Sequence, residues 1–249
     1  MEIALRTEGL KRMFGGLAAV DGVALECRVG RVHAVIGPNG AGKTTLINLL
    51  SGDLAPSAGR IEILGRDVSG LAAHRIAQLG VGRSYQRTNI FMSFSAFENC
   101  RLAAQSRLSS SMRFLRPALS YREVNQAAER ALELCGLQSK KDATAAALSH
   151  GERRQLEVAM TLATAPRVLL LDEPLAGMGA EEAERMVELL RKLGAAHAML
   201  LVEHDMDAVF AIAATLTVMV DGRVLASGSP AEIRANAQVQ EAYLGAADG

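Results

Sequence analysis

The sequence has no tryptophan, only three cysteines and no excess of charge of either sign. Lys+Arg and Asp+Glu both number 27, so no net field attracts nucleic acid or anionic lipid, and we expect no nucleic-acid partner. Cys27, Cys100 and Cys135 are widely spaced and form no C-x-x-C pair. We interpret them as buried, reduced thiols of a cytosolic protein.

Long hydrophobic runs are also missing. The longest apolar stretch, residues 208–220, has 13 residues and includes Thr215 and Thr217, whereas a membrane-spanning helix needs about 20. The first residues include Glu2 and Arg6 and lack the apolar core of a signal peptide. Any role at a membrane is therefore expected to be peripheral.

The most informative feature present is a complete phosphate-binding loop, G-x-x-x-x-G-K-[ST], between a strand-like run (31–36) and a helix-like run (44–50). Its glycines allow backbone N–H groups to turn around a phosphate chain, and the helix N-terminus adds partial positive charge. Lys43 is placed to reach the β- and γ-phosphates of a nucleoside triphosphate, and the Thr44 hydroxyl to ligate Mg²⁺. The predicted nucleotide-binding residues of the loop are Gly37, Pro38, Asn39, Gly40, Ala41, Gly42, Lys43, Thr44 and Thr45.

Strands and helices alternate in the C-terminal part of the chain. Strands are predicted at 168–171, 198–202 and 217–220, and a helix over 180–193 that ends at Gly194. Continuous apolar strands that alternate with helices favour a parallel sheet covered on both faces.

The N-terminal and middle parts have other patterns. Residues 3–32 predict antiparallel strands broken at Gly15-Gly16 and Asp21-Gly22, and 60–64 predicts a further strand. The middle shows helix signals only, among them a capping box of Ser120 and Glu123 and a helix end at Gly136. The predicted division is a nucleotide-binding α/β core over about 1–88 and 166–249 and a helical subdomain over about 89–165.

Two acids, Asp172 and Glu173, follow the apolar run at 168–171 directly. Ligands of parallel sheets bind at the carboxyl ends of strands, so both acids are expected to face the phosphate loop. Asp172 suits the Mg²⁺ shell, and Glu173 suits the base that orients water for attack on the γ-phosphate.

Residues 148–152 (Leu-Ser-His-Gly-Glu) carry a second capping box, Ser149 with Glu152, at a helix N-terminus that could also bind an anion. This segment resembles the L-S-G-G-Q signature of the ATP-binding cassette (ABC) ATPases. The resemblance covers nearly the whole chain, because five other features of that family occur here in the family's order. They are Phe14 at the adenine-stacking position, the phosphate loop, Gln86, the acidic pair and His204.

The resemblance implies a P-loop NTPase fold with a parallel-sheet core, an antiparallel β subdomain and an inserted α-helical subdomain. It also implies that Gln86 senses Mg²⁺ and the attacking water and that His204 holds the γ-phosphate and Glu173. Ser149 and Gly151 would contact the ATP held by a second ATPase protomer, either the same or a homologous chain.

The chain departs from the family pattern at three positions. His150 and Glu152 replace the first glycine and the glutamine of the signature, while Ser149 and Gly151 are kept. Gly179 stands where many relatives have Asp or Asn, which puts the usual communication between the two ATP sites in doubt.

The segments 80–91, 175–178 and 243–245 are similar to the ATPases of bacterial branched-chain amino acid importers. The urea-type importers share the Ser149-His150-Gly151 form, and a lipopolysaccharide-export ATPase is a further alternative. The resemblance implies transmembrane permease subunits as partners, a periplasmic solute-binding protein as an indirect partner, and a peripheral location on the cytoplasmic face of the inner membrane.

Three phenylalanines, Phe91, Phe94 and Phe97, fall within seven residues. They predict either part of the helical core or an apolar groove that receives a short permease helix, and both can hold at once.

Overall fold

A computed structural model of the chain describes residues 2–85, 89–107 and 121–244, with the backbone alone for 243 and 244. The chain forms two compact units. The first contains residues 1–81, 167–173 and 190–249, and the second contains 82–166 and 174–189.

The described residues form ten strands and nine α-helices. The strands are β1 (Ile3–Phe14), β2 (Leu17–Arg28), β3 (Arg31–Ile36), β4 (Ala58–Ile63), β5 (Arg66–Asp67), β6 (Val81–Arg83), β7 (Val168–Asp172), β8 (Ala198–Val202), β9 (Thr215–Val220) and β10 (Arg223–Gly228). The helices are α1 (Lys43–Ser51), α2 (Ala73–Gln78), α3 (Ala96–Gln105), α4 (Arg122–Leu134), α5 (His150–Ala163), α6 (Ala180–Ala196), α7 (Met206–Ile212), α8 (Pro230–Ala235) and α9 (Ala237–Leu244). Among the described residues, no helix is long and apolar enough to cross a membrane.

An antiparallel sheet, in the order β2-β1-β4-β5, opens the first unit and confirms the prediction for this region. The predicted break at Gly15-Gly16 is the hairpin turn between β1 and β2. The predicted break at Asp21-Gly22 is wrong, because β2 continues through it. Gly22 has φ 76° where the pairing register with β1 shifts, so the glycine marks a β-bulge rather than a turn.

A second sheet, in the order β10-β9-β3-β8-β7-β6, contains the predicted parallel core. β3 pairs in parallel with both β8 and β9, and β8 pairs in parallel with β7. Every residue of β7 and β8 is buried, as expected for strands covered on both faces. Because β3, β7 and β8 run in one direction, the segments that follow them emerge at the same edge of the sheet.

The sequence predicts that helix α6 ends at Gly194, but the helix continues to Ala196. A Cβ atom on Gly194 would lie 2.4 Å from Cγ2 of Val32 in β3. The glycine is therefore explained by the close approach of the helix to the strand and not by a left-handed helix end.

Helices α3, α4 and α5 pack against one another in the second unit, and the apolar face of α4 is buried. The predicted helix end at Gly136 is confirmed, since Gly136 has φ 72° after the C-cap Cys135. The predicted capping residue Ser120 lies outside the described residues, and the N-cap of α4 is Tyr121 instead.

All three cysteines are buried free thiols, as predicted. Burial raises the pKa of Cys100 to about 12 and also raises the pKa values of Cys27 and Cys135. These thiols are therefore protonated and unreactive at neutral pH.

Candidate active site

The phosphate loop joins β3 to α1 in the first unit, and two of its glycines are required by the space available. Gly37 has φ 153° and Gly42 has φ 95°. A Cβ atom would lie 2.1 Å from the Met219 carbonyl oxygen at the first position and 2.2 Å from the Ala19 carbonyl oxygen at the second. Side chains at these two positions would therefore collide with neighbouring backbone, and the glycines allow the loop to fold as a cradle of bare backbone.

Lys43 is the first residue of α1, and its side chain folds back over the loop. The Nζ atom donates hydrogen bonds to the carbonyl oxygens of Gly37 at 2.7 Å and Pro38 at 2.9 Å. The pKa of Lys43 lies below its ordinary value, because the effect of burial outweighs the opposite effect of the negative charges of Glu173 and Asp172. The ammonium group is thus held at the helix N-terminus, where it adds to the partial positive charge of the helix dipole.

Asp172 ends β7, and Glu173 follows it at the same edge of the sheet. Asp172 is only 2% exposed. Glu173 has φ 50°, a left-handed conformation that is uncommon for a residue other than glycine and that recurs at functional sites. Its backbone N–H donates to the Val202 carbonyl oxygen at 2.9 Å, which fixes this conformation against the end of β8.

His204 follows β8 in the same unit and lies beside Glu173. The Nδ1 atom of His204 is 3.8 Å from Oε1 of Glu173 and 4.0 Å from Oε2 of Glu203. Glu203 is 1% exposed, and its carboxylate accepts a hydrogen bond from the backbone N–H of His204 at 3.2 Å. The sequence reasoning missed Glu203, although it follows a buried strand as Asp172 and Glu173 do.

Phe14 lies at the end of β1 and is 45% exposed. The Arg12 guanidinium lies 4.8 Å from the centre of its ring, a cation–π distance. An exposed aromatic face at the hairpin tip is able to stack on a planar base.

Ser149 and Gly151 lie in the second unit, at the N-terminus of α5. The predicted capping box is confirmed, since Ser149 Oγ accepts from the Glu152 N–H at 3.2 Å and the Glu152 carboxylate accepts from the Ser149 N–H at 2.9 Å. Glu152 also pairs with Lys140, and this hydrogen bond is the largest cause of its lowered pKa. The ring of His150 approaches Gly177, where a Cβ atom would lie 3.0 Å from Cε1.

The first unit therefore gathers the phosphate loop, Asp172, Glu173 and His204 at the carboxyl ends of β3, β7 and β8. The glycine cradle, the held ammonium and the buried carboxylate together fit a nucleoside triphosphate with its divalent cation. Gln86, the remaining predicted catalytic and metal-binding residue, lies outside the described residues.

A parallel sheet with this loop defines a P-loop nucleotide-binding protein. The family model described as ABC transporter matches residues 20–176, and one described as branched-chain amino acid ATP-binding cassette transporter matches residues 223–249.

Comparison with known proteins gives relatives over nearly the full length. The high-affinity branched-chain amino acid transport ATP-binding protein BraF of Pseudomonas aeruginosa is 40% identical over 250 residues, covering 98% of each chain. The lipopolysaccharide export system ATP-binding protein LptB of Acidithiobacillus ferridurans is 33% identical over 248 residues, again 98% of each chain. A crystal structure of the ADP conformation of an ATP-binding cassette of an ABC transporter superposes with a TM-score of 0.87 at 28% identity, covering 98% of this chain and 100% of the other.

The chain belongs to the ABC transporter family and is an ATP-binding, ATP-hydrolysing subunit of a transporter. The resemblance seen in the sequence and the predicted fold class are thereby confirmed.

Proposed function

We propose that the chain energises the import of branched-chain amino acids. The observation that carries this proposal is the match of residues 223–249 to the model described for branched-chain amino acid cassettes. The 40% identity to BraF over the whole length supports the same substrate class. A urea-type importer and a lipopolysaccharide exporter are the alternatives, the latter because of the 33% identity to LptB.

In this proposal, ATP binds the phosphate loop with its adenine against Phe14, and Lys43 contacts the β- and γ-phosphates. Thr44, Asp172 and Gln86 hold Mg²⁺, which neutralises charge on the phosphate oxygens when bound. Glu173 orients and deprotonates the attacking water.

His204 holds the γ-phosphate and keeps Glu173 in place. The 3.8 Å separation of its Nδ1 atom from Glu173 Oε1 supports this role. Ser149 and Gly151 contact the ATP of a second protomer, since the N-terminus of a helix of 14 residues favours an anion. We propose the same division of the chain that the sequence predicts, into a nucleotide-binding core at about 1–88 and 166–249 and a helical subdomain at about 89–165.

An apolar patch in the second unit supports docking to a permease. Phe91 and Phe94 stack with ring centres 5.4 Å apart, and they are 55% and 37% exposed. Asn99 is fully buried, and its side chain hydrogen-bonds the backbone of Phe91 in both directions, at 2.8 and 3.1 Å. Asn99 thereby holds the Phe91 backbone in place, and the two exposed rings offer apolar surface of the kind on which a short permease helix docks.

In this proposal the chain lies on the cytoplasmic face of the inner membrane, binds permease subunits and is served by a periplasmic solute-binding protein. The test is uptake of labelled leucine and labelled urea in a strain that lacks the gene. We expect leucine uptake to be lost and then restored by the intact gene but not by its Glu173→Gln variant. Unchanged leucine uptake with lost urea uptake rejects the amino acid assignment. No effect on either solute, together with impaired lipopolysaccharide export, supports the exporter alternative.

A further inference from the structure

The N-terminus of α5 already holds an anion that belongs to the protein itself. Ser149 Oγ donates a hydrogen bond to Oε1 of Glu182 at 3.0 Å, and the Gly179 N–H donates to Oε2 of the same carboxylate at 3.4 Å. All three residues lie in the second unit. The sequence reasoning did not single out Glu182, which is a half-buried residue in the first turn of α6.

Gly151 allows the carboxylate to come this close. A Cβ atom on Gly151 would lie 2.3 Å from Cδ of Glu182 and 2.5 and 2.6 Å from its two oxygens. The Glu182 carboxylate therefore occupies the space over the first turn of α5, against the two residues to which we assign contact with ATP.

A serine hydroxyl has one hydrogen to donate. The Ser149 oxygen accepts from the Glu152 N–H, and its single hydrogen is directed to Glu182. A phosphate oxygen at this helix end needs the same hydrogen and the same space, and it carries the same sign of charge as the carboxylate. Glu182 and a γ-phosphate therefore exclude each other here.

We propose that Glu182 is an internal competitor for the signature anion site, which ATP must displace before two copies of this chain close over it. The proposal rests on the proposed function, because it takes Ser149 and Gly151 as contacts to the ATP of the second copy. Arg185 lines the same cleft three residues further along α6, within the i,i+3 reach of the displaced carboxylate. Glu182 thus opposes closure at low ATP concentration without touching the phosphate loop.

The experiment measures the ATP concentration at which half of the Glu173→Gln protein is dimeric, by sedimentation velocity. Adding Glu182→Gln to this protein removes the charge of the side chain and keeps its size. We expect the ATP concentration for half-dimerisation to fall roughly three- to tenfold, because a partly exposed hydrogen bond to a charged group is weakened. Glu182→Ala removes the carboxylate altogether, keeps a strong helix former, and is expected to act in the same direction.

Glu181→Gln is the matched control. It makes the same charge change one residue away, where the carboxylate lies 3.9 Å from Arg185 and 90% of the side chain is exposed. This control is expected to shift the ATP requirement less than twofold, as is typical of an exposed pair. If Glu182→Gln shifts it no more than Glu181→Gln does, or raises it as loss of a structural contact would, the competitor role is wrong.

Ser149→Arg distinguishes a failure of the competitor role of Glu182 from a failure of the proposed ATP contact between two copies. This variant places bulk and positive charge at the helix end, so it is expected to prevent ATP-driven dimerisation. If Ser149→Arg dimerises normally, or if the Glu173→Gln protein forms no ATP-dependent dimer, the proposed contact between copies is wrong and the inference falls with it. If Ser149→Arg blocks the dimer while the Glu182 variants have no effect, the inference alone is wrong.

Discussion

The proposed function uses the N-termini of two helices of this chain, α1 and α5, as anion sites, but the side chains at these two helix ends differ. The N-cap of α1 is Gly42, which has no side chain, and Lys43 follows it with its ammonium group folded over the loop. The N-cap of α5 is Ser149, closed by a capping box with Glu152 and by the carboxylate of Glu182.

The difference shows that a helix dipole alone does not define a ligand site. Both ends carry the same partial positive charge, yet the N-cap of α1 brings no side chain to its helix end, whereas at α5 the N-cap Ser149 binds two carboxylates of its own chain, Glu152 through its N–H and Glu182 through its hydroxyl. In the proposed function, Glu173 in the unit of α1 takes part in the chemistry. Acids beside α5, such as Glu152, contribute first to structure.

The largest effect that separates the two ends is expected from Glu173→Gln. The substitution keeps the size and hydrogen bonding of the side chain but removes the charge that deprotonates water. We expect the hydrolysis rate to fall by about 10²–10⁴-fold, as is typical of losing a general base, while ATP binding survives. Steady-state phosphate release and equilibrium binding of a fluorescent ATP analogue measure the two quantities.

Glu184→Gln, on the exposed surface of α6, controls for a general effect of charge. If the Glu173 variant hydrolyses ATP at a near-normal rate, the base is another residue, and the buried Glu203 beside His204 becomes the first candidate.

A smaller effect is expected from Gly42→Ala, which tests whether the end of α1 depends on glycine. Gly40 and Gly42 both have left-handed φ values, 81° and 95°, but a Cβ atom meets nothing within 4 Å at Gly40 and a backbone oxygen at 2.2 Å at Gly42. Gly40→Ala is therefore expected to lower the free energy of unfolding by about 1–2 kcal/mol through backbone strain alone. Gly42→Ala adds steric overlap and is expected to cost about 2–5 kcal/mol.

Urea unfolding without nucleotide measures both glycine variants. Equal losses for the two would mean that the loop moves away from Ala19 without cost, and the end of α1 would then be less rigid than its geometry indicates.

Local signals predicted much of this site from the sequence, because they depend on residues close together in the chain. The phosphate loop, the buried strand before Asp172 and the Ser149–Glu152 box are of this kind. The interpretation of Gly194 as a helix end failed because its reason is a distant atom, Cγ2 of Val32. Glu182 was missed for the same cause, since its partner Ser149 is 33 residues away and only the folded second unit brings them together.

The smallest effect is expected from Glu152→Gln, which tests the structural role of the acids at α5. Glutamine can still close a capping box, so only the pair with Lys140 is lost.

The pair of Glu152 with Lys140 lowers the pKa of Glu152 below its usual value. Its stabilisation is therefore fully present above the carboxyl pKa of the unfolded chain, about 4.3. The stabilisation disappears as the pH falls through the lower folded pKa. Because the pair is partly exposed, we expect the variant to be less stable by about 0.5 kcal/mol at neutral pH, and we expect this difference to shrink as the pH falls through the lowered pKa of Glu152. Urea unfolding at neutral pH and over a series of acidic pH values checks this, and Lys140→Met should remove the same contribution without adding to it in the double variant. A difference that persists unchanged in acid would show that Glu152 stabilises α5 mainly through the cap.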